Sequence, residues 1–240
     1  MDTSPPKHTT PPTPSPLANS KQLLVVVAQD WMSTAGELQH FARQSPCSDW
    51  QAVGACIPVS LGRSGLAWGI GLHGAVDRPG PHKREGDGCA PAGIFAISEL
   101  FGYSGADSAF ARAARLPYRA ASANLICVDD PASTHYNRFV DLATTPQRDW
   151  QSHEDMLRTD TRYTLGAVIA HNSPHPVPGA GSCIFLHVWQ APGVPTAGCT
   201  AGALADITEI CAWLDSAAAP LLVQLPAAEY AHFRAVWAPP

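Results

Sequence analysis

The chain has 240 residues, 45% of them hydrophobic and only 15% charged, with a formal net charge of -5. That length can support one substantial core or two small ones. The absence of any dense Lys/Arg run excludes an electrostatic nucleic-acid footprint, and the longest apolar runs, such as 23–28, are far too short to span a bilayer.

Residues 1–20 are rich in Pro, Thr and Ser and read as an extended, solvated tail. They lack a basic stretch followed by an apolar one, so they do not read as a secretory signal. A single folded domain is expected over 21–240. Within it, 22–29 reads as a strand and 31–45 as a turn and short helix ending before Pro46. Segments 50–59 and 64–73 look like strands forming a hairpin around 61–64. Residues 77–93 are rich in glycine and proline and are expected to form a loop, after which 94–98 resumes a strand. A short helix at 108–115 precedes strands at 125–129 and 163–171. The polar stretch between those strands, 130–162, is long for a structureless loop and is expected to hold a helix around 152–158. A strand at 221–225 and a helix at 227–237 close the chain. Many short strands and few helices indicate a mainly-β sandwich or barrel.

Seven cysteines are many for a reducing cytoplasm, and an odd total fits one free thiol with up to three bridges. Cys47 and Cys56 flank a short loop-like segment and are the expected pair, although several of the seven could equally be small buried hydrophobes.

The most informative stretch is 181–199, GSCIFLHVWQAPGVPTAGC. Cys183, Phe185, His187 and Trp189 alternate with Ile184, Leu186 and Val188, the period of a strand carrying His187 on one face. Pro192, Gly193 and Pro195 then turn the chain back. Cys199 follows, just before a helical pattern at Leu204, Ile207, Ile210, Cys211 and Leu214. A thiol is a good nucleophile as thiolate, which a neighbouring imidazole and a helix N-terminus both favour. Cys199 is therefore the candidate nucleophile and His187 its general base and acid. The backbone N–H groups of Gly198 and Cys199 are candidates for holding an oxyanion. Main chain near Gly181 and Ser182 is a candidate for orienting the imidazole. His171, Ser182, Trp189 and Thr196 are the candidate substrate-binding residues. Phe185, Trp189 and Val194 suggest a partly dry cleft. His171, His175 and His187 occur with cysteines nearby, but no Cys-x-x-Cys pair accompanies them, so no metal is expected. No cofactor is expected either.

A histidine on a strand, about a dozen residues before Thr196-Ala-Gly-Cys199, resembles the L,D-transpeptidases, the YkuD-like enzymes that cross-link bacterial peptidoglycan. Residues 83–95, KREGDGCAPAGIF, look like that family's Gly/Pro-rich element, with Ala90 where a threonine usually stands. Residues 136–141 (YNRFVD) and 170–172 (AHN) are similar to a subgroup of it, and the likeness spans about 21–240. The resemblance implies an L,D-transpeptidase-like β-sandwich with a few short helices, and a monomer. It also implies a cysteine acyl-enzyme acting on peptidoglycan stem peptides in the periplasm or cell envelope, and acylation by carbapenems. Where many members carry an apolar residue and then arginine after the cysteine, this chain has Thr200 and Ala201, which leaves the substrate-side cation unassigned. Two other readings stand beside it. One is an L,D-carboxypeptidase or endopeptidase that uses the same Cys/His pair with water. The other is a non-catalytic, disulfide-stapled wall-binding module in which Cys199 is bridged. The N-terminus fits either a cytoplasmic protein or a chain given without its export signal, and the resemblance favours the second.

Overall fold

The computed structural model describes residues 15–240. The first strands are β1 (Gln22–Ala28), β2 (Ala35–Ala42), β3 (Gln51–Ser60), β4 (Leu66–Trp68) and β5 (Ala90–Gly102). Helix α1 (Ala109–Ala113) is followed by β6 (Tyr118–Ala120), β7 (Leu125–Val128), β8 (Arg138–Asp141), β9 (His153–Asp155) and β10 (Leu165–Ile169). The chain ends with β11 (Phe185–Val188), β12 (Thr200–Gly202), α2 (Leu204–Trp213), β13 (Leu221–Pro226) and α3 (Ala227–Trp237).

The fold is mainly β, but the expected sandwich is a closed eight-stranded barrel. Its strands run β10-β11-β12-β3-β2-β1-β13-β5, and the ring closes because β5 also pairs with β10. Closure depends on the length of β5. Ala96 to Gly93 pair with Leu221 to Gln224 of β13, while Gly102, Phe101 and Leu100 pair with Leu165, Gly166 and Ala167 of β10. One long strand thus serves two neighbours, and no edge is left between them. The sequence suggested only 94–98 because Pro91 and Gly93 look like breakers. In the fold, Gly93 is needed inside the strand: its φ is +138° and a Cβ there would lie 2.0 Å from the His73 ring.

Other expectations change as well. Segment 31–45 contains β2, not a helix; Leu38 and His40 point inward while Glu37 and Gln39 do not, the period of two that pairs it antiparallel with β1 and β3. Segment 64–73 contributes only β4, which pairs in parallel with β5, so the expected hairpin does not form. The stretch 152–158 holds β9 rather than a helix, and β8 lies in the same polar excursion. Residues 15–20, assigned by composition to the tail, are packed on the domain: Leu17 is 2% exposed, and Arg43 donates to the carbonyls of Leu17, Ala18 and Ser20. The part of that tail from 1 to 14 lies outside the described residues.

The core is filled by Leu23, Leu24, Val26, Leu38, Phe95 and Leu186 from the strands and by Ile207, Ile210 and Cys211 from α2. The i, i+3, i+4 spacing of those α2 residues lays one face of the helix on β10 and β11, and each buried isoleucine contributes roughly 1.5–3 kcal/mol. A separate three-stranded sheet, β8-β7-β9, lies beside the barrel. It is stapled there by a disulfide between Cys127 of β7 and Cys183, just before β11. The expected Cys47–Cys56 bridge is absent: both are exposed free thiols, and Cys89, Cys199 and Cys211 are buried free thiols. Among the described residues no helix is long and apolar enough to cross a membrane.

Candidate active site

Cys199 and His187 are brought together by parallel strand pairing. β11 and β12 lie side by side with Leu186 opposite Thr200 and His187 opposite Ala201. Cys199, immediately before β12, therefore lies alongside Phe185, whose N–H donates to its Sγ at 3.3 Å. The connecting turn is braced by Thr196, whose hydroxyl donates to the Cys199 carbonyl at 2.6 Å and accepts the Gly198 N–H at 3.1 Å. Gly198 itself must be glycine: its φ is +152° and a Cβ would sit 3.1 Å from the Cys89 carbonyl oxygen.

Both Cys199 and His187 line a cavity of about 490 Å³. The His187 Nδ1 lies 2.8 Å from the Val188 carbonyl, which can only accept, so Nδ1 carries the proton and Nε2 keeps its lone pair. The orienting carbonyl is thus Val188, not Gly181 or Ser182. The edge of the Tyr163 ring packs on the imidazole at 5.3 Å between centroids.

Several expectations about this site are revised. Cys199 does not sit at a helix N-terminus, because β12 intervenes and α2 begins at Leu204. The Gly198 N–H is already taken by Thr196; the Cys199 N–H has no protein partner among the described residues and is the better oxyanion donor. Thr196 positions the nucleophile's turn through its hydroxyl. Ser182 lines the cavity but donates to Glu85 at 2.7 Å, and Glu85 also accepts from the Tyr136 hydroxyl. Trp189 lines the cavity as expected. His171 does not. Its Nδ1 accepts the Ile70 N–H at 3.2 Å and its Nε2 donates to the Ala180 carbonyl at 2.9 Å, so both ring nitrogens hold loops together. It borders a smaller hollow of about 280 Å³ instead. Asn137 and Asn172 tie the same loop: Asn137 donates to the His171 and Asn172 carbonyls and accepts the Cys183 N–H.

The cavity is more polar than the sequence suggested. Phe185 turns away from it into an aromatic cluster with Phe101, Phe139 and Tyr163. Its walls instead carry Arg63, Lys83, Arg158 and Arg162, facing Glu85, Asp129, Glu154 and Asp155. Asp129 follows β7, at the end of the strand expected over 125–129, and Glu154 lies on β9, where the sequence suggested a helix. Asp129 Oδ1 is buried without a partner, and Glu154 accepts from the Tyr163 hydroxyl.

These surroundings keep the pair neutral at rest. Burial, and then the nearby Glu154 carboxylate, push the Cys199 thiol up to about 12. Burial lowers His187 to about 4, against the opposing pull of the Val188 carbonyl. A preformed thiolate–imidazolium pair is therefore not what the site stores. For Cys199 to act as a nucleophile, its proton would have to pass to His187 as the sulfur attacks. Among the described residues no group of three or more His, Cys, Asp or Glu is placed to hold a metal ion. No family model, curated protein or solved structure matches the chain.

Proposed function

We propose that this chain is an exported peptidoglycan L,D-transpeptidase working through a Cys199 thioester. The observation that carries the reading is the meeting of a free buried thiol and an Nδ1-protonated imidazole in one cavity, held there by neighbouring strands. The sequence resemblance at the same residues supplies the substrate class. A disulfide joining Cys127 and Cys183 fits an oxidising compartment such as the periplasm. Because Cys199 is unbridged, a stapled wall-binding module has no support at this position.

In the first half-reaction Cys199 Sγ forms a bond to the donor stem-peptide carbonyl carbon. His187 Nε2 takes the thiol proton and returns it to the amine of the departing D-amino acid as the C–N bond breaks. An acceptor stem-peptide amine then attacks the thioester; His187 Nε2 takes that amine's proton and passes it to Sγ as the C–S bond breaks and the new amide forms. The polar walls of the cavity favour a second reading, the L,D-carboxypeptidase, because water is easily accommodated among eight charged side chains. Incubation with a disaccharide-tetrapeptide, followed by mass spectrometry, separates the two. Cross-linked dimers, and exchanged monomers on adding a D-amino acid, are expected. Tripeptide alone at every amine concentration assigns the carboxypeptidase, and an unchanged substrate overturns both.

A further inference from the structure

We propose that Gln224 is a positioning residue for Cys199, acting through Thr200 from the far side of the barrel. The inference rests on the acyl-transfer reading and names what holds the thiol of that site in place. Gln224 lies on β13 and is fully buried, as is Thr200, the first residue of β12. The two strands are not neighbours. β3, β2 and β1 separate them one way round the ring, and β11, β10 and β5 the other. The Thr200 hydroxyl nevertheless donates to Gln224 Oε1 at 2.7 Å, and Gln224 Nε2 donates to the Pro91 carbonyl of β5 at 2.9 Å. One carboxamide thus crosses the barrel interior and ties β12 to the wall formed by β13 and β5.

The strand β12 has little else to hold it on one side. It spans only Thr200–Gly202, and its pairing with β3 is limited to Ala201 opposite Ser60. The Ser60 hydroxyl is buried there without a hydrogen-bond partner among the described residues, so it anchors nothing across that seam. Alternation along a strand turns Thr200 inward and Cys199 outward to the cavity it lines. The peptide joining the two is therefore gripped from both faces. From inside, the Thr200 side chain is fixed by Gln224; from outside, the Thr196 hydroxyl donates to the Cys199 carbonyl at 2.6 Å. A buried hydrogen bond is directional, and a fully satisfied polar link specifies one arrangement where apolar packing tolerates several. The direction of the Cys199 side chain follows from that link.

The test uses the whole protein and follows carbapenem acylation of Cys199 by intact-protein mass spectrometry over a range of drug concentrations. Urea midpoints of the same proteins report stability. Thr200→Val and Gln224→Met each break the link, and Thr200→Ser keeps the hydroxyl. Each breaking variant is expected to lower the saturating acylation rate about 10–100-fold, the scale of a misplacement of about 1 Å, with the half-saturating concentration little changed. Thr200→Ser is expected to keep most of the rate. Combining Thr200→Val with Gln224→Met replaces a bonded pair by apolar groups of similar shape. The double variant should therefore be more stable than Thr200→Val alone, which strands a buried carboxamide oxygen. A positioning role keeps its acylation slow despite that recovery. Acylation that recovers along with stability, or that is unchanged in the single variants, overturns the inference. If neither carbapenem nor tetrapeptide acylates the wild type, the acyl-transfer reading fails, and alkylation of Cys199 by iodoacetamide decides the positioning separately. A Thr200→Val rate equal to that of wild type then overturns it, and a faster one upholds it.

Discussion

The Phe185 N–H donates to Cys199 Sγ, so the sulfur is held by the same strand that carries His187 two residues further on. That bond eases the thiol toward ionisation, but burial outweighs it. The Cys199 thiol is therefore placed by β-sheet register, and on the proposed function it would be activated only when substrate completes the site.

Cys199→Ala should abolish acyl transfer. Cys199 is 8% exposed and packs in the cluster of Phe101, Tyr163 and Phe185, so removing its sulfur should also cost about 1 kcal/mol. Intact-protein mass spectrometry with a carbapenem checks the chemistry: one added drug mass on wild type, on the peptide containing Cys199, and none on the variant. Retained turnover would remove Cys199 from its role.

Alkylation should follow exposure and protonation rather than catalytic importance. With its thiol pushed up to about 12, Cys199 should react slowly with iodoacetamide at neutral pH, and its rate should climb steeply above pH 9. Exposed Cys47 should label first. His187→Gln should leave this slow resting rate nearly unchanged, yet lower acylation by substrate roughly 10²- to 10⁴-fold through loss of the base. Fast labelling of Cys199 at pH 7 would contradict a neutral resting pair.

Stability should fall as the protein is acidified from pH 6.5 toward 4. Burial lowers both His171 and His187 from 6.5 to about 4, so in this window the unfolded chain binds protons that the folded chain refuses. Each histidine then withdraws on the order of 3 kcal/mol across the window, stability being fully present above pH 6.5. His73 is shifted in the same direction, also by burial. Urea midpoints measured at pH 7.5 and 4.5 check this; a flat profile would show that these imidazoles are not buried neutral.

Breaking the Cys127–Cys183 bridge should loosen the sheet that carries Asp129 and Glu154. A bridge closing a sequence separation of 56 is worth about 2–4 kcal/mol. Cys127→Ala should lose about that much by denaturant titration, and acyl transfer should fall because Cys183 leads directly into β11. Hydrogen exchange localised to β7, β8 and β9 would show the loosening, and unchanged exchange there would contradict it.

The meeting of Cys199 and His187 at one cavity was readable because alternation along β11 and the glycine–proline turn before Cys199 are local signals. The strands β1, β3, β7, β10 and β13 and the helices α1, α2 and α3 were readable for the same reason. The rest depends on partners far away in sequence. Segment β2 has a glutamate, a glutamine and a histidine where a strand usually has β-branched residues, and only its pairing with β1 and β3 makes it a strand. The breakers Pro91 and Gly93 concealed β5, although His73 fills the space that Gly93 leaves. In the small sheet β8 and β9 carry little apolar periodicity and are strands through their pairing with β7. Glu154, on β9, therefore had no local signature of function, and Asp129, just past β7, had none beyond its place at a strand end. The placement of His171 was missed because a strand-end histidine looks the same whether it faces a cavity or ties two loops.

Between Trp189 and Thr196 the chain passes through a tip at Gly193, with φ +77° and open space around it, while both ends are pinned: Trp189 N–H to Gly202, and Thr196 N–H to Leu61. Such a loop is a detachable rim. Lengthening or recolouring it at Gly193 would reshape the mouth of the cavity, which Trp189, Gln190, Val194 and Pro195 line, while β-ladder register keeps sulfur and imidazole where they are. The cavity's contents could therefore change in this scaffold while the Cys199–His187 arrangement stays as it is.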